Sequence, residues 1–269
     1  TEFLFLDRPD EPSMDEQAAA YRRVLDAFAG RKVVIRTLDA GADKPLRFVT
    51  HADEPNPALG VRGLRTARRH PALLERQLTA IARAAAGASA QVWVMAPMVS
   101  TPAEAAAFAQ QVRGAGLPVA GSMVEVPAAA LRAARLLDHC DFLSLGTNDL
   151  AQYAFAADRM SGDLADLLDP WQPALLDLVR TTALAGRAAG KPVGVCGEAA
   201  SDPNLAAVLV GLGVTSLSMA PAAVAPVRAT LAGLSLADCE RLAEIAGGAP
   251  DARVARAAVD GEVQRLAGS

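Results

Sequence analysis

Residues 118–146 read PVAGSMVEVPAAALRAARLLDHCDFLSLG, and this stretch decides the fold. An apolar run from Pro118 to Glu125 turns at Pro127 into an Ala- and Leu-rich helical period that lasts to Leu137. A second apolar run follows from Asp141 to Gly146. Runs this apolar have no solvent face, and two of them joined through one helix read as parallel strands linked by a crossover. The same unit recurs outward in both directions. Strand-like runs lie at Lys32 to Leu38, Gln91 to Met98, Pro192 to Gly197 and Thr215 to Met219. Helical periods lie at Asp15 to Ala29, Pro71 to Ala86, Pro102 to Arg113, Pro173 to Ala189 and Asn204 to Leu212. Proline near the start of four of the helical periods supports their boundaries, because its fixed φ suits a first helical turn. The class predicted is α/β with a parallel sheet, either an open sheet or a barrel wall. From Leu236 onward the pattern is helical and polar, broken at Gly247-Gly248-Ala249-Pro250.

Composition narrows the function. The chain has 269 residues, 52% apolar and 21% charged, enough to bury a large core and too apolar for intrinsic disorder. Against 26 basic residues stand 30 acidic ones, a net charge of -4, so no global positive field draws the chain to nucleic acid or an anionic membrane. Any bound anion must be held by a local cluster. Cys140, Cys196 and Cys239 form no CxxC pair or disulfide framework, which fits a reducing cytoplasm. The uncharged stretches Ala84 to Ala103 and Pro203 to Val227 are broken by glycine and proline, and read as buried helix-turn-strand segments, not membrane spans. No GxGxxG follows the first strand and there is no P-loop. The opening Thr1-Glu2-Phe3 has neither an initiator Met nor a signal-like sequence, so a portion of a longer protein is expected.

Polar residues gather where strands end, the usual place for function in parallel α/β sheets. Arg36 closes the first run, where its planar fork can grip phosphate or carboxylate or else pair with Asp39 or Asp43. Arg62 and Arg65 stand three apart in a turn-rich segment: a second anion grip if the turn is helical, a solvated surface otherwise. Glu125 and Asp149 end neighbouring strands 24 residues apart. Two such carboxylates suit a hard divalent ion, Mg²⁺ above all, whose other positions go to water and substrate oxygens; helix capping accounts for them equally simply. Cys196, between Gly194-Val195 and Gly197, is either a proton donor or a small buried apolar residue. His51, His70 and His139 lack ligand spacing, and Trp93, Trp171, Met95 and Met98 read as apolar filling.

Together these segments resemble the phosphoenolpyruvate (PEP)-binding barrel of Enzyme I of the bacterial sugar phosphotransferase system. The carrying motifs are Arg36-Thr37-Leu38-Asp39 with Gly41-Ala42-Asp43-Lys44, Asn56 to Arg65, and Met95-Ala96-Pro97-Met98. They continue with Gly121 to Ala129, Asp141 to Gln152 (DFLSLGTNDLAQ), Ala157-Asp158-Arg159 and Val195-Cys196-Gly197-Glu198. Pyruvate phosphate dikinase and PEP synthase share the NDL and CGE elements, but the Asp43-Lys44 element is closer to Enzyme I.

The resemblance implies a (β/α)8 TIM-type barrel that binds PEP at its C-terminal mouth. The chain, 1–269, would form one PEP-binding domain, with six of the eight strands and 236–269 as C-terminal helices packed on it. The phosphohistidine and HPr-docking domains lie outside it. By the resemblance Glu125 and Asp149 ligate Mg²⁺, while Arg36, Arg62 and Arg159 grip phosphate and carboxylate. Asn148 orients the substrate, Lys44 stands near the site, and Cys196 protonates the enolate carbon. It further implies a cytoplasmic homodimer that cannot complete phosphotransfer by itself. Met160-Ser161 departs from the Gly-Asn that commonly follows the motif's arginine. A dikinase or synthase fragment and a non-catalytic dimerisation module are the alternatives.

Overall fold

The structure, a computed structural model, describes residues 2–6, 8–41, 46, 48–49 and 54–267. Lys44 and His51 lie outside the described residues. The chain forms two compact units, Thr1–Val99 with Ala103–Met123 and Ser100–Pro102 with Val124–Ser269.

The first unit contains α1 (Met14–Ala27), β1 (Lys32–Arg36), α2 (Pro71–Ala85), β2 (Gln91–Ala96), α3 (Pro102–Gly114) and most of β3 (Val119–Val124). β1 pairs with β2 and β2 with β3, both in parallel, with Ile35 opposite Val94 and Met95 opposite Gly121. Leu25, Ile81, Val94, Phe108 and Val112 are wholly buried, each contributing about 1.5–3 kcal/mol through burial. Ser13 and Glu16 close a reciprocal capping box at the start of α1, which satisfies two otherwise orphaned amides. A polar thread crosses the apolar layer. Gln77 donates to the Tyr21 hydroxyl at 3.0 Å and accepts from the Leu38 amide at 3.0 Å, so α1 and α2 together fix the chain just beyond β1. Before α1, a 3₁₀ turn at Glu2–Leu4 is followed by Phe5, which is fully buried with Leu38, Ala40, Leu46, Val49 and Leu73.

The second unit runs α4 (Pro127–Leu131), α5 (Ala133–Leu137), β4 (Phe142–Gly146), α6 (Thr147–Ala154), α7 (Pro173–Ala189), β5 (Val193–Cys196), α8 (Glu198–Ser201), α9 (Pro203–Gly211), β6 (Ser216–Ser218), α10 (Pro221–Ala232), α11 (Leu236–Gly247) and α12 (Ala252–Ala267). β4 pairs with β5 and β5 with β6, again in parallel, with Gly146 opposite Cys196. The α/β class with parallel strands, each followed by helix, is therefore the fold, and it is the TIM-type βα repeat. Proline at the first helical position opens α4, α7, α9 and α10. α11 packs on α9, and α12 on both.

Three local expectations change. The helical period Pro127 to Leu137 is broken at Arg132, whose φ of -113° and ψ of 19° end α4 and admit α5. Its alanine-rich pattern runs through the break and hides it. The segment after β4, read only as motif, is a helix of its own, α6. The uncharged stretch Ala84 to Ala103 is a helix end, a turn and the largely buried strand β2, as expected; in Pro203 to Val227 the expectation of burial holds for α9 but is corrected for β6 and α10, whose residues are mostly exposed. Among the described residues no single helix is long and apolar enough to cross a membrane.

Candidate anion and metal site

In the second unit the polar residues converge at the C-terminal ends of β4 and β5. Glu125 follows β3 directly and is 1% exposed; Asp149, in the first turn of α6, is 6% exposed. Neither is the capping residue of its neighbouring helix, since Val126 and Gly146 hold those positions. The capping alternative therefore does not account for them. Each offers a carboxylate oxygen within 4.8 Å of the other's. Gly146 makes this approach possible, because a Cβ there would stand 2.8 Å from Glu125 Cγ.

Arg159 Nη1 lies 3.7 Å from Asp149 Oδ2. Its backbone is set by the end of α6, where Ala156 takes a left-handed φ of 51° and the Arg159 amide donates to Gln152 Oε1 at 3.0 Å. A left-handed non-glycine residue costs about 1–2 kcal/mol, which the turn carrying Arg159 absorbs. Thr147 Oγ1 is buried without a hydrogen-bond partner among the described residues. Asn148 is exposed, and its amide lies 4.0 Å from where a Cβ of Gly197 would stand. Gly197 has a φ of 90°, open to glycine and strained for other residues. Cys196, half-buried, donates its thiol to the Leu145 carbonyl at 3.4 Å, a contact that needs the protonated form. Cys140 and Cys239 are buried, as expected of structural cysteines.

In the first unit β1 ends on Arg36. Its Nη2 lies 2.8 Å from Glu2 Oε1, and its Nη1 lies 3.6 Å from both Asp39 Oδ2 and Met123 Sδ. Asp39 Oδ2 also accepts from Arg62 Nη2 at 3.1 Å, with both side chains 1% exposed. Gly63, at a φ of 56°, lies so close to Met98 that a Cβ would stand 2.8 Å from the Met98 side chain. The two alternatives for Arg62 and Arg65, a shared helical face or a solvated turn, are both corrected at Arg62. Arg62 precedes the 3₁₀ turn Gly63–Arg68 in extended backbone, φ -140°, so helical spacing does not apply. Its guanidinium is buried on Asp39, while Arg65 Nη1 donates to the Gly60 carbonyl at 3.2 Å.

The second unit thus brings together Glu125, Asp149, Asn148, Arg159 and Cys196, and the first brings together Arg36 and Arg62. Sequence reading treats Asp39 only as a possible partner of Arg36 and passes over Glu2, which lies 34 positions from Arg36 with no local signal linking them. Two buried carboxylates this close repel each other, and the Arg159 guanidinium beside Asp149 offsets part of that repulsion. The carboxylate oxygens of Glu125 and Asp149 fit a hard divalent cation such as Mg²⁺.

Parallel strands, each followed by helix and with charged side chains gathered at their C-terminal ends, define an α/β protein of the class whose sites lie at those ends. Residues 1–236 match the family described as PEP-utilising enzyme, PEP-binding domain, and the chain belongs to that family. It is 61% identical over 260 residues to the phosphoenolpyruvate-protein phosphotransferase of Streptomyces coelicolor, a match covering 96% of this chain and 47% of that protein. The protein of the same name from Haloferax volcanii is 45% identical over 257 residues, 91% of this chain and 46% of that one. A multiphosphoryl transfer protein of Xanthomonas campestris is 43% identical over 251 residues, 91% of this chain and 30% of its own length. The chain spans about half the length of the two phosphotransferases.

Proposed function

We propose that this chain is the PEP-binding portion of a cytoplasmic, homodimeric phosphoenolpyruvate-protein phosphotransferase, Enzyme I of the sugar phosphotransferase system. The whole protein passes the phosphoryl group of PEP to a histidine outside this chain and on to HPr. The observation that carries the reading is the buried Glu125–Asp149 pair with Arg159 drawn onto it, in a chain of the PEP-binding family.

In this reading residues 1–269 act as one binding domain, with 236–269 as its C-terminal helices. Glu125 and Asp149 hold Mg²⁺, which when bound supplies positive charge to the oxygens of PEP. Arg36, Arg62 and Arg159 take the phosphate and carboxylate through charge-assisted hydrogen bonds, Asn148 orients the substrate, and Lys44 adds a further cation. PEP brings about three negative charges, and these local cations neutralise them although the chain as a whole is acidic. As the phosphoryl group leaves, the enolate carbon takes the proton of the Cys196 thiol, and a thiolate remains. The thiol that donates to the Leu145 carbonyl at 3.4 Å is the source of that proton in this reading.

Calorimetry tests the reading. Expected is PEP-binding heat that requires Mg²⁺, vanishes with EDTA, and falls below detection in both Glu125→Ala and Asp149→Ala. Equal heat with and without Mg²⁺, or in either variant, would refute the assignment.

A further inference from the structure

The 3₁₀ turn Glu2–Leu4 has no part in the site assignments above, yet its first side chain reaches the arginine that closes β1. One oxygen, Glu2 Oε1, accepts from Arg36 Nη2 at 2.8 Å and from the Asp39 amide at 3.2 Å. The turn is firmly seated. The amides of Phe5 and Leu6 donate back to the Glu2 carbonyl at 2.8 and 2.9 Å, and Phe5 is fully buried in the cluster beneath the chain that follows β1. Glu2 is thus a fixed carboxylate delivered by a buried anchor.

Its charge is secure. Burial pushes the Glu2 carboxyl up, but the Arg36 charge, the amino-terminal charge of this chain and hydrogen bonds outweigh this and hold it down at about 2. Beyond Arg36 the signs alternate: Arg36 meets Asp39 at 3.6 Å, and Asp39 meets Arg62 at 3.1 Å. The Arg36–Asp39 separation exceeds a hydrogen bond, so it attracts the guanidinium without fixing its plane. The short contact to Glu2 at Nη2 fixes it, together with the weaker bond that Nη1 donates to Met123 Sδ at 3.6 Å. Because the same oxygen holds the Asp39 amide, it ties that plane to the backbone carrying the partner of Arg62.

We propose that Glu2 is a positioning residue, which sets the Arg36 guanidinium, and through Asp39 that of Arg62, for the phosphate or carboxylate of the incoming substrate. The inference rests on the PEP-binding reading and adds a residue to it. Orientation held in advance is affinity gained, because the substrate then pays less of the ordering cost.

The test uses this 269-residue chain with Glu2→Gln and Glu2→Ala. Glutamine retains an oxygen that can accept from both donors, whereas alanine retains none. With saturating Mg²⁺, the PEP Kd of Glu2→Gln is expected within about threefold of the parent and that of Glu2→Ala at least about tenfold weaker. An unchanged Kd in Glu2→Ala, even with a lowered unfolding midpoint, would reduce Glu2 to a structural role and overturn the inference. Tighter binding in both variants would overturn it too, by making Glu2 a counterion that competes with substrate. If Glu2→Ala does not fold, Glu2→Asp takes its place, and parent-like affinity with the shortened side chain overturns the inference. Nitrogen-15 spectra of the Arg36 side chain supply a reading that needs no PEP. Separate Nη signals from hindered rotation are expected in the parent and Glu2→Gln, and merged ones in Glu2→Ala; identical spectra in all three overturn the clamp. Absence of PEP binding by the parent refutes the PEP-binding reading, and the spectra then decide the clamp on their own.

Discussion

At Gly146 a single absent methyl group controls two carboxylates. The glycine ends β4 opposite Cys196, and a Cβ there would meet Glu125 at 2.8 Å from Cγ and 3.1 Å from Oε2. Glu125 is buried and cannot swing into solvent, so in Gly146→Ala it must leave its place beside Asp149. The expected result is a folded protein, destabilised by about 1–3 kcal/mol, whose Mg²⁺-dependent PEP affinity falls at least about tenfold. Gly114, where an added Cβ meets nothing within 4 Å, is the control: Gly114→Ala should gain about 0.5 kcal/mol and bind normally. Calorimetry and urea unfolding read both. Residues of this kind divide by how sequence reveals them. Glu125, Asp149 and Cys196 were legible because each sits at the end of an apolar run, where chain order alone puts it at the rim of the sheet. Glu2 was not, because its link to Arg36 depends on how Phe5 packs, and packing leaves no periodic trace.

Among the elements, α12 is held by a polar knot centred on Asp202. Asp202 Oδ1 caps α9, accepting from the amides of Asn204 and Leu205 at 3.0 and 3.1 Å. Oδ2 accepts from Trp171 Nε1 and from Arg256 Nη1, each at 3.1 Å. Trp171 is fully buried, and the Arg256 guanidinium lies 5.2 Å from its ring centroid. In Asp202→Ala the cap is lost and the indole N–H is stranded, so about 2–4 kcal/mol of stability should go. Arg256→Ala should cost about 1 kcal/mol or less, because that side chain is 43% exposed and exposed pairs contribute little. Chemical unfolding of the two variants checks the ranking, and a larger loss at Arg256 would contradict it. Within each unit the strands were readable nearly to the residue: Pro192 to Gly197 became Val193–Cys196, and Gln91 to Met98 became Gln91–Ala96. Short runs buried on both faces and flanked by proline or glycine have few alternatives. The break at Arg132 and the knot itself were not readable, because an alanine-rich period is indifferent to a kink and side-chain networks join residues far apart in sequence.

Across the whole molecule these local interactions sum to a pH profile with two limbs. Glu2 and Glu16 are both held down at about 2, Glu2 against burial by the Arg36 charge, Glu16 by the Ser13 amide and Arg8. Asp238 and Glu262 are also lowered, chiefly by hydrogen bonds from Ser235 and Arg265 respectively. In the unfolded chain such groups titrate at about 4, so between roughly pH 4.5 and 2 the unfolded state takes up more protons. Stability present above that window is lost as pH falls through it. At the other end burial pushes Tyr21 up to about 12 and, together with Asp238, raises the Cys239 thiol. An unfolded tyrosine ionises near 10, so from about pH 10 to 12 the unfolded state releases its proton first and stability falls as pH rises. Tyr21→Phe should lower stability at neutral pH by about 1 kcal/mol, because Gln77 loses its partner, and should also flatten the alkaline limb above pH 10. Glu2→Gln should leave that limb intact and shallow the acid one. Urea midpoints taken from pH 2 to 12 for the parent and both variants test this directly; an alkaline limb equally steep in Tyr21→Phe would mean that the buried phenol does not set it.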